Sequence, residues 1–597
     1  MPTLNWIGKD KVVSHHQDVA FKVLEHKYGF TNKGEQNFET NSGNKIIHGD
    51  NLEALKSLLP EYEGRIDIIY IDPPYNTGQE NWVYNDNVNH PKIKKWLGEI
   101  VGKDEEDFTR HDKWLCMMYP RLKIINKLLS DSGVIFMSID DNEQVNLRFL
   151  CDEIFGKRNF ISTFSWEKKK KGSHLDNYIT TVKEYVHTYA KDKKNFKGLI
   201  GEIVSNKETY PCINPGNSIS ERLIPAGVRS NYKLKNHTLP KGSVISAGNM
   251  SLLLKSDLEI ENCKLKNDVI IESEWRYGQE KIDEYAKTGA LYFTRDLYLR
   301  QTVSKPRYKK LKNFLPRVDN DEILKLKDEL IKLYENQGNI SKIEKLKKKI
   351  DAINALGFLD FDINNLNSGG WGSNEDGDEE LRNIFGKKIF DFPKPSKLIS
   401  KLLASYRDKN AIILDSFAGS GTTAHSVIKL NEKDGGNRKF ILVEMEDYAE
   451  NITSERVKKV IKGYGESKKV NKFVDGITTS FDFYELGSPI FKEDENLNED
   501  VGEDKIRNYI YYSETKQPLT RPQTKDGKYL LDNYQDTGYY FYYEKDSLTT
   551  LDNNSLGIIL TLQEQYIIYA DICLLDEAYM LNKNIIFKKI PRDIKRF

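Results

Sequence analysis

The stretch IDIIYIDPPYNTG, Ile66–Gly78, joins a short apolar run to two consecutive prolines. An isoleucine-rich run of this length suits a strand buried on both faces of a parallel sheet. The prolines end it: each fixes φ and removes an amide donor, so the loop is stiff and its carbonyls can accept hydrogen bonds from something else. Asp72 then stands at the carboxyl end of a strand, where open α/β sheets place their ligands. An exocyclic amine needs such acceptors. Its lone pair is delocalised into the ring, and N–H bonds to a carboxylate and a carbonyl favour the tetrahedral, nucleophilic nitrogen. Tyr75 offers a flat face for a base, worth about 1–3 kcal/mol of stacking. Taken alone, Pro73-Pro74 merely closes a strand and Tyr75 is a rim aromatic.

Outward from this stretch, KIIH (Lys45–His48) and VIFMSI (Val134–Ile139) read as further strands, with Asn51–Leu59 and Trp114–Leu129 as helices of three-and-four apolar spacing. The texture returns much later: AIIL (Ala411–Leu414) and FILV (Phe440–Val443) read as strands and Gly421–Leu430 as a helix. Between the two strands lies DSFAGSGTT, Asp415–Thr423. Its small residues let the backbone approach a ligand, and the helix start presents N–H groups. No Lys follows Gly421, so the phosphate-cradling P-loop is not matched. Glu444, at the end of the next strand, is the kind of acid that accepts ribose hydroxyls.

The expected fold is therefore α/β, a Rossmann-like and mostly parallel sheet split in two by an insert. The boundaries predicted are an N-terminal arm at 1–43, a first half at 44–192, an insert at 193–390, a second half at 391–479 and a smaller α+β domain at 480–597. Within the insert, Asn320–Leu356 predicts a helical hairpin from Ile323, Leu326, Leu330 and Leu333 and then Ile340, Ile343, Leu346 and Ile350. The acidic run KEDENLNEDVGEDK reads as a solvated linker, and the tyrosine-rich stretches after it as strands.

The chain has 597 residues, 38% of them hydrophobic, enough for more than one core. Lys+Arg 90 against Asp+Glu 90 leaves no net charge, so any nucleic-acid surface must come from local segregation. Lys168, Lys169, Lys170 and Lys171 form one such run. Lys305 to Arg317, with Arg307, Lys309 and Lys310 interleaved with Tyr308 and Phe314, forms another; both suit phosphate contacts. Five scattered cysteines and histidines without ligand spacing predict neither a disulfide framework nor a bound metal. The start carries no signal sequence and no apolar run of membrane-spanning length occurs, so a cytoplasmic protein is expected, without a membrane partner.

In combination these motifs resemble the amino-methyltransferases that depend on S-adenosylmethionine, in the permuted order where the Asp-Pro-Pro-Tyr half comes first. More closely, the chain resembles the modification subunit of Type III restriction–modification systems. The resemblance covers nearly the first 480 residues. It includes LNWIGKDKVVSHH (Leu4–His16), GDNLEAL (Gly49–Leu55), HDKWLCMMYPRL (His111–Leu122), GVIFMSIDDNE (Gly133–Glu143), FPKPSKLI (Phe392–Ile399) and DSFAGSGTT. It implies methyl transfer to N6 of an adenine flipped out of double-stranded DNA. By the same resemblance Asp72 and the Pro73 carbonyl take the amine, with Pro74 and Tyr75 completing the site. Asp415, Phe417, Ala418, Gly419, Gly421 and Thr422 line the cofactor, and Glu444 holds its ribose. Lys394 and Ser396 flank its methionine end, and Asp50 its adenine edge. The insert would be a target-recognition domain, and the partners a second copy of the chain and a separate restriction subunit with helicase and nuclease activity. Two other readings stand beside this one: cytosine-N4 methylation, for which Ser more often replaces Asp72, and a DNA-binding specificity module that recruits a restriction subunit.

Overall fold

The computed structural model of the protein describes residues 4–77, 107–169, 178–204, 209–247, 250–302, 307–317, 343–344, 361–465, 474–521, 523–524 and 527–592. The chain forms two compact units. One comprises Met1–Leu199, Lys312–Ile363 and Ser368–Phe597, the other Ile200–Leu311 and Asn364–Asn367.

The first unit is built on an eleven-stranded sheet. In chain order its strands are β1 (Lys22–Thr31), β2 (Gly34–Gln36), β3 (Lys45–His48), β4 (Ile66–Ile71), β5 (Leu129–Ile139), β6 (Phe160–Glu167), β7 (Lys183–Ala190), β8 (Phe314–Leu315), β9 (Ile412–Asp415), β10 (Lys439–Glu444) and β11 (Phe481–Pro489). In space they run β2-β1-β11-β3-β10-β9-β4-β5-β7-β6-β8. From β11 to β5 every neighbouring pair is parallel; β7 is antiparallel to both β5 and β6. Buried isoleucine, leucine and valine of β3, β4, β5, β9 and β10 make the middle of the sheet, as expected of strands covered on both faces.

Its helices include α1 (Asn51–Tyr62), α2 (Asp107–Leu128), α3 (Gln144–Cys151), α4 (Asn374–Phe385), α5 (Ser396–Ala404), α6 (Thr422–Asp434), α7 (Glu455–Lys462) and α8 (Glu503–Thr515). Asp50 starts α1 by accepting from the Leu52 and Glu53 amides at 2.9 and 3.0 Å. The apolar face of α2, with Trp114, Met117, Met118, Leu122 and Ile125, is buried in the main core.

The permutation brings the two halves of the chain together at one seam. β4 lies beside β9, Ile68 opposite Ile413 and Ile69 opposite Leu414. Asp72 and Asp415 thus leave the sheet at the carboxyl ends of adjacent strands, the crevice where such sheets bind ligands.

Three boundaries differ from the sequence reading. Residues 1–43 are not an arm, because β1 pairs with β11, and β11 itself is a strand of the main sheet beside β3 rather than the start of a C-terminal domain. Both strands alternate apolar with charged residues, so they lack the signal of the central ones. The inserted unit is narrower than 193–390: Trp166 donates to the Gly372 carbonyl at 2.9 Å and α4 stands in the first unit. The acidic run is not a solvated linker, since Glu499 is buried and accepts from Tyr543 and Arg592 at 2.8 and 2.9 Å. The hairpin predicted at 320–356 lies outside the described residues, apart from Ile343 and Glu344.

The second unit is mostly β, with a four-stranded and a seven-stranded sheet around a core that includes Ile224, Leu252, Ile271 and Phe293. At the other end of the chain, α8 packs on a four-stranded sheet formed by Leu530–Tyr534, Thr537–Phe541, Gln565–Ala570 and Ile585–Lys589.

Candidate active site

After β4 the loop is fixed from two sides. Trp114 on α2 donates to the Pro74 carbonyl at 2.7 Å. Asn76, fully buried with φ of 58°, donates through Nδ2 to the buried Glu143 carboxylate. His111 Nδ1 lies 2.6 Å from that carboxylate and Asn146 donates to it at 2.8 Å. Burial pushes Glu143 above the ordinary carboxylate range, against the hydrogen bonds it accepts. His187 bridges Thr163 and the Gln144 carbonyl. His111 and His187 therefore serve as structural braces.

At the mouth of this loop four ionisable side chains meet around Tyr75. The Tyr75 hydroxyl lies 2.9 Å from Asp72 Oδ1 and 3.0 Å from Glu184 Oε2 on β7. The Lys394 ammonium lies 2.9 Å from Asp72 Oδ2 and 3.5 Å from Glu184 Oε2, and 4.9 Å from the Tyr75 ring centre. Lys168 holds the other oxygen of Glu184 at 2.9 Å. Burial pushes Asp72 up despite Lys394. In Glu184 burial acts the same way, but the Lys394 and Lys168 charges prevail and hold it below its ordinary range. Glu184 was missed by sequence reasoning, and Lys168 was read as a phosphate contact. Its ammonium turns inward to Glu184.

Across the seam the Gly-rich loop opens α6. Gly421 has φ of 78°, and a Cβ there would stand 2.9 Å from the Thr453 carbonyl oxygen, so only glycine fits without a shift. Glu444, at the end of β10, accepts from the Gly419 amide at 2.7 Å and from the Met445 and Glu446 amides at 3.0 and 3.1 Å. Burial raises its pKa to about 7 all the same. Asp415 accepts from the Phe417 amide and the Thr423 hydroxyl, and burial raises it too to about 7.

The structure therefore sorts the expected cofactor residues. Phe417, Ala418, Gly419 and Gly421 form the loop, with Glu444 beside it. Asp415 shapes that loop from within. Ser396 is buried, its amide on Glu380, and Thr422 is held by Arg456 at 2.8 Å. Lys394 accepts from Thr422 at its carbonyl while its ammonium reaches Asp72, so it spans both motifs. Asp50 is a helix cap, tied through the Arg121 ion pair at 3.7 Å and through Asn51 to the Ser416 carbonyl.

Behind the loop lies a cluster absent from the sequence reading. Arg456 of α7, His425 of α6 and Glu380 of α4 are all buried. Arg456 donates to Ser420 Oγ and Thr422 Oγ1 at 3.0 and 2.8 Å and pairs with Glu380 at 3.4 Å. Glu380 in turn lies 3.0 Å from His425 Nδ1.

Of the remaining basic residues, Lys169 lies 5.9 Å from the Phe392 ring centre, and Arg307, Lys309 and Lys310 sit on an exposed strand paired with Ile200–Val204. Lys170, Lys171 and Lys305 lie outside the described residues. Among the described residues, no group of three or more His, Cys, Asp or Glu could hold a metal, and no helix is long and apolar enough to cross a membrane.

A parallel sheet that carries an Asp-Pro-Pro-Tyr loop and a Gly-rich helix start at neighbouring strand ends defines an α/β methylase. The chain belongs to the N6_N4_Mtase family of DNA methylases, whose model matches residues 66–455. It is 28% identical over 477 residues to the Type III restriction-modification enzyme StyLTI Mod subunit of Salmonella typhimurium, covering 75% of this chain and 59% of that protein. To the Type III restriction-modification enzyme EcoPI Mod subunit of Escherichia phage P1 it is 29% identical over 474 residues, covering 74% of this chain and 64% of the relative. The Type II methyltransferase M.KpnI of Klebsiella pneumoniae is 26% identical over 413 residues, with 68% and 81% covered. The chain thus spans less than two thirds of the length of either Mod subunit.

Proposed function

We propose that this chain transfers a methyl group from S-adenosylmethionine to N6 of an adenine flipped out of double-stranded DNA, as modification and recognition subunit of a restriction–modification system. The observation that carries this reading is the seam itself: Asp72 and the Gly-rich loop leave adjacent parallel strands, so an amine at one and a nucleoside-like cofactor at the other are neighbours. The relatives named as Mod subunits of Type III restriction-modification enzymes support a modification role beside a separate restriction subunit, and a second copy of the chain completes the proposed assembly. Asp72, where Ser would favour cytosine, supports N6 over N4.

The residues fit the cofactor. Glu444 is a buried carboxylate poised to accept ribose hydroxyls, and Gly421, lacking a Cβ, lets the loop close onto the Thr453 carbonyl beside it. Bound there, S-adenosylmethionine supplies an electrophilic methyl group. The chain's own work is at the amine: Asp72 and the Pro73 carbonyl accept its two N–H bonds, since the Pro74 carbonyl is taken by Trp114. That sharpens the nitrogen lone pair for in-line attack, and Asp72 is placed to receive the proton released afterwards.

Modification-sensitive sequencing of DNA from a methylation-free host tests the reading. N6-methyladenine in one short motif, absent with Asp72→Ala, is the expected result; N4-methylcytosine would select the other base.

Glu444 gives a pH prediction. Its ordinary value of 4.5 is raised to about 7, so below that pH the ligand-free site holds it protonated. Ribose hydroxyls donate best to a carboxylate. Cofactor affinity should therefore rise between pH 6 and 8 with proton release, and calorimetry in two buffers of different ionisation enthalpy would show it. The fold bears the opposite sign: a carboxyl raised in the folded state stabilises the ligand-free protein less as pH climbs from about 4.5 to about 7, above which the effect levels off.

The exposed strand gives a second prediction. Neutralising Arg307, Lys309 and Lys310 together should weaken DNA binding for every sequence and flatten the salt slope by up to roughly 0.9 per lost phosphate contact. An unchanged slope in a filter-binding titration would remove this strand from the DNA interface.

A further inference from the structure

Asp72 is not free to meet an amine as the site stands. Its Oδ1 faces the Tyr75 hydroxyl and its Oδ2 holds the Lys394 ammonium. The attacking nitrogen gains positive charge as the methyl group transfers, so an ammonium on the very oxygen that must stabilise it opposes the reaction. Lys394 cannot retreat to water, because its side chain is only 7% exposed and an unpaired buried charge is strongly disfavoured. Among the described residues, one other anion lies within reach. Glu184 Oε2 is 3.5 Å from the ammonium, on a side chain 5% exposed. The four charges balance, Asp72 and Glu184 against Lys394 and Lys168, so moving the ammonium between the two carboxylates changes no total.

We propose that Glu184 is a positioning residue of this site: it takes over the Lys394 ammonium when the target amine arrives, leaving Asp72 Oδ2 free to accept from the base. This inference rests on the methyl-transfer reading above. Lys168 fixes Glu184 from the far side, and the β6–β7 pairing that sets Trp166 opposite Glu184 fixes the distance. Tyr75, bonded between both carboxylates, keeps its ring in place through the exchange.

The test is single-turnover methyl transfer from radiolabelled S-adenosylmethionine to unmethylated plasmid DNA by the full chain. In Glu184→Gln the amide oxygen still accepts from Tyr75, but two lysines now face one carboxylate and Lys394 stays on Asp72. The rate should fall about 100-fold, with cofactor affinity unchanged. Adding Lys394→Met restores the balance, one lysine to one carboxylate, and strips the ammonium from Asp72. The double variant should therefore run at least about tenfold faster than Glu184→Gln alone, a sign of coupling that a merely structural role does not produce. A double variant no faster than the single one, or a Glu184→Gln enzyme as fast as the parent, overturns the proposal. Asp72→Ala in the same series separates the two levels. If it stays active, the site reading falls and this inference with it; if it is inactive while the double variant shows no recovery, the inference alone falls.

Discussion

Asp72→Ala is expected to lower methyl transfer by about a thousandfold or more, with DNA and cofactor affinity within about threefold of the parent. The asymmetry follows from where the carboxylate acts. On the proposed reading Asp72 meets the amine, and in the structure it holds the Lys394 ammonium, whereas the Gly-rich loop is held by Asp415, Glu444 and Arg456. The interaction lost is one that strengthens as charge develops on nitrogen, so it belongs to the rate and not to ground-state binding. Lys394 keeps Glu184 as a partner in the variant, which limits the cost to the fold. Filter binding, calorimetry and single-turnover assays on one preparation check the three quantities. A variant retaining a tenth of the parent rate would mean that Asp72 does not hold the amine.

What the sequence made legible is the part whose signal is local. β4 and β9 are unbroken apolar runs followed at once by their motifs, so strand, loop and ligand edge could all be placed from a dozen residues. β1 and β11 were not legible as strands of the main sheet, because KVLEHKYGFT and FDFYELGSP spread charge among apolar positions, and they fell in the predicted arm and the predicted C-terminal domain. The chemistry between motifs was hidden for a different reason. Lys394 and Asp72 are 322 positions apart, and only the permuted sheet brings them to 2.9 Å. Glu184 is one acid in an ordinary strand, and Lys168 begins a lysine run that looks solvated. Their pairing depends on the register of β6 against β7, which no periodicity encodes. The acidic run failed in the same way: composition reported the charge of Glu499 but not the arginine, near the far end of the chain, that buries with it.

Arg456→Met is expected to destabilise the protein by about 3–5 kcal/mol, lowering its melting temperature by about 10 °C, and to weaken cofactor binding together with it. Arg456 is fully buried. Its guanidinium ties Ser420 and Thr422 of the Gly-rich loop to Glu380, while the Glu380 carboxylate also accepts from the Ser396 amide. Burial by itself would raise Glu380, but the attraction of His425 and Arg456 brings it down to about 2. A depressed acid contributes its stability above its ordinary value of 4.5 and loses it as pH falls toward 2, so the parent should lose this contribution in acid while the variant has little left to lose. Lysine in place of Arg456 should rescue poorly, since a single ammonium cannot reach both hydroxyls and the carboxylate in one plane. Glu380→Gln in the Arg456→Met background should recover part of the stability, because it removes the stranded charge, but not the cofactor affinity, because the loop hydroxyls still lack their donor. Melting curves at pH 4 and 7 with cofactor titrations decide it. Equal melting temperatures for parent and Arg456→Met would show that the Gly-rich loop is held by its own turn and by Glu444 alone.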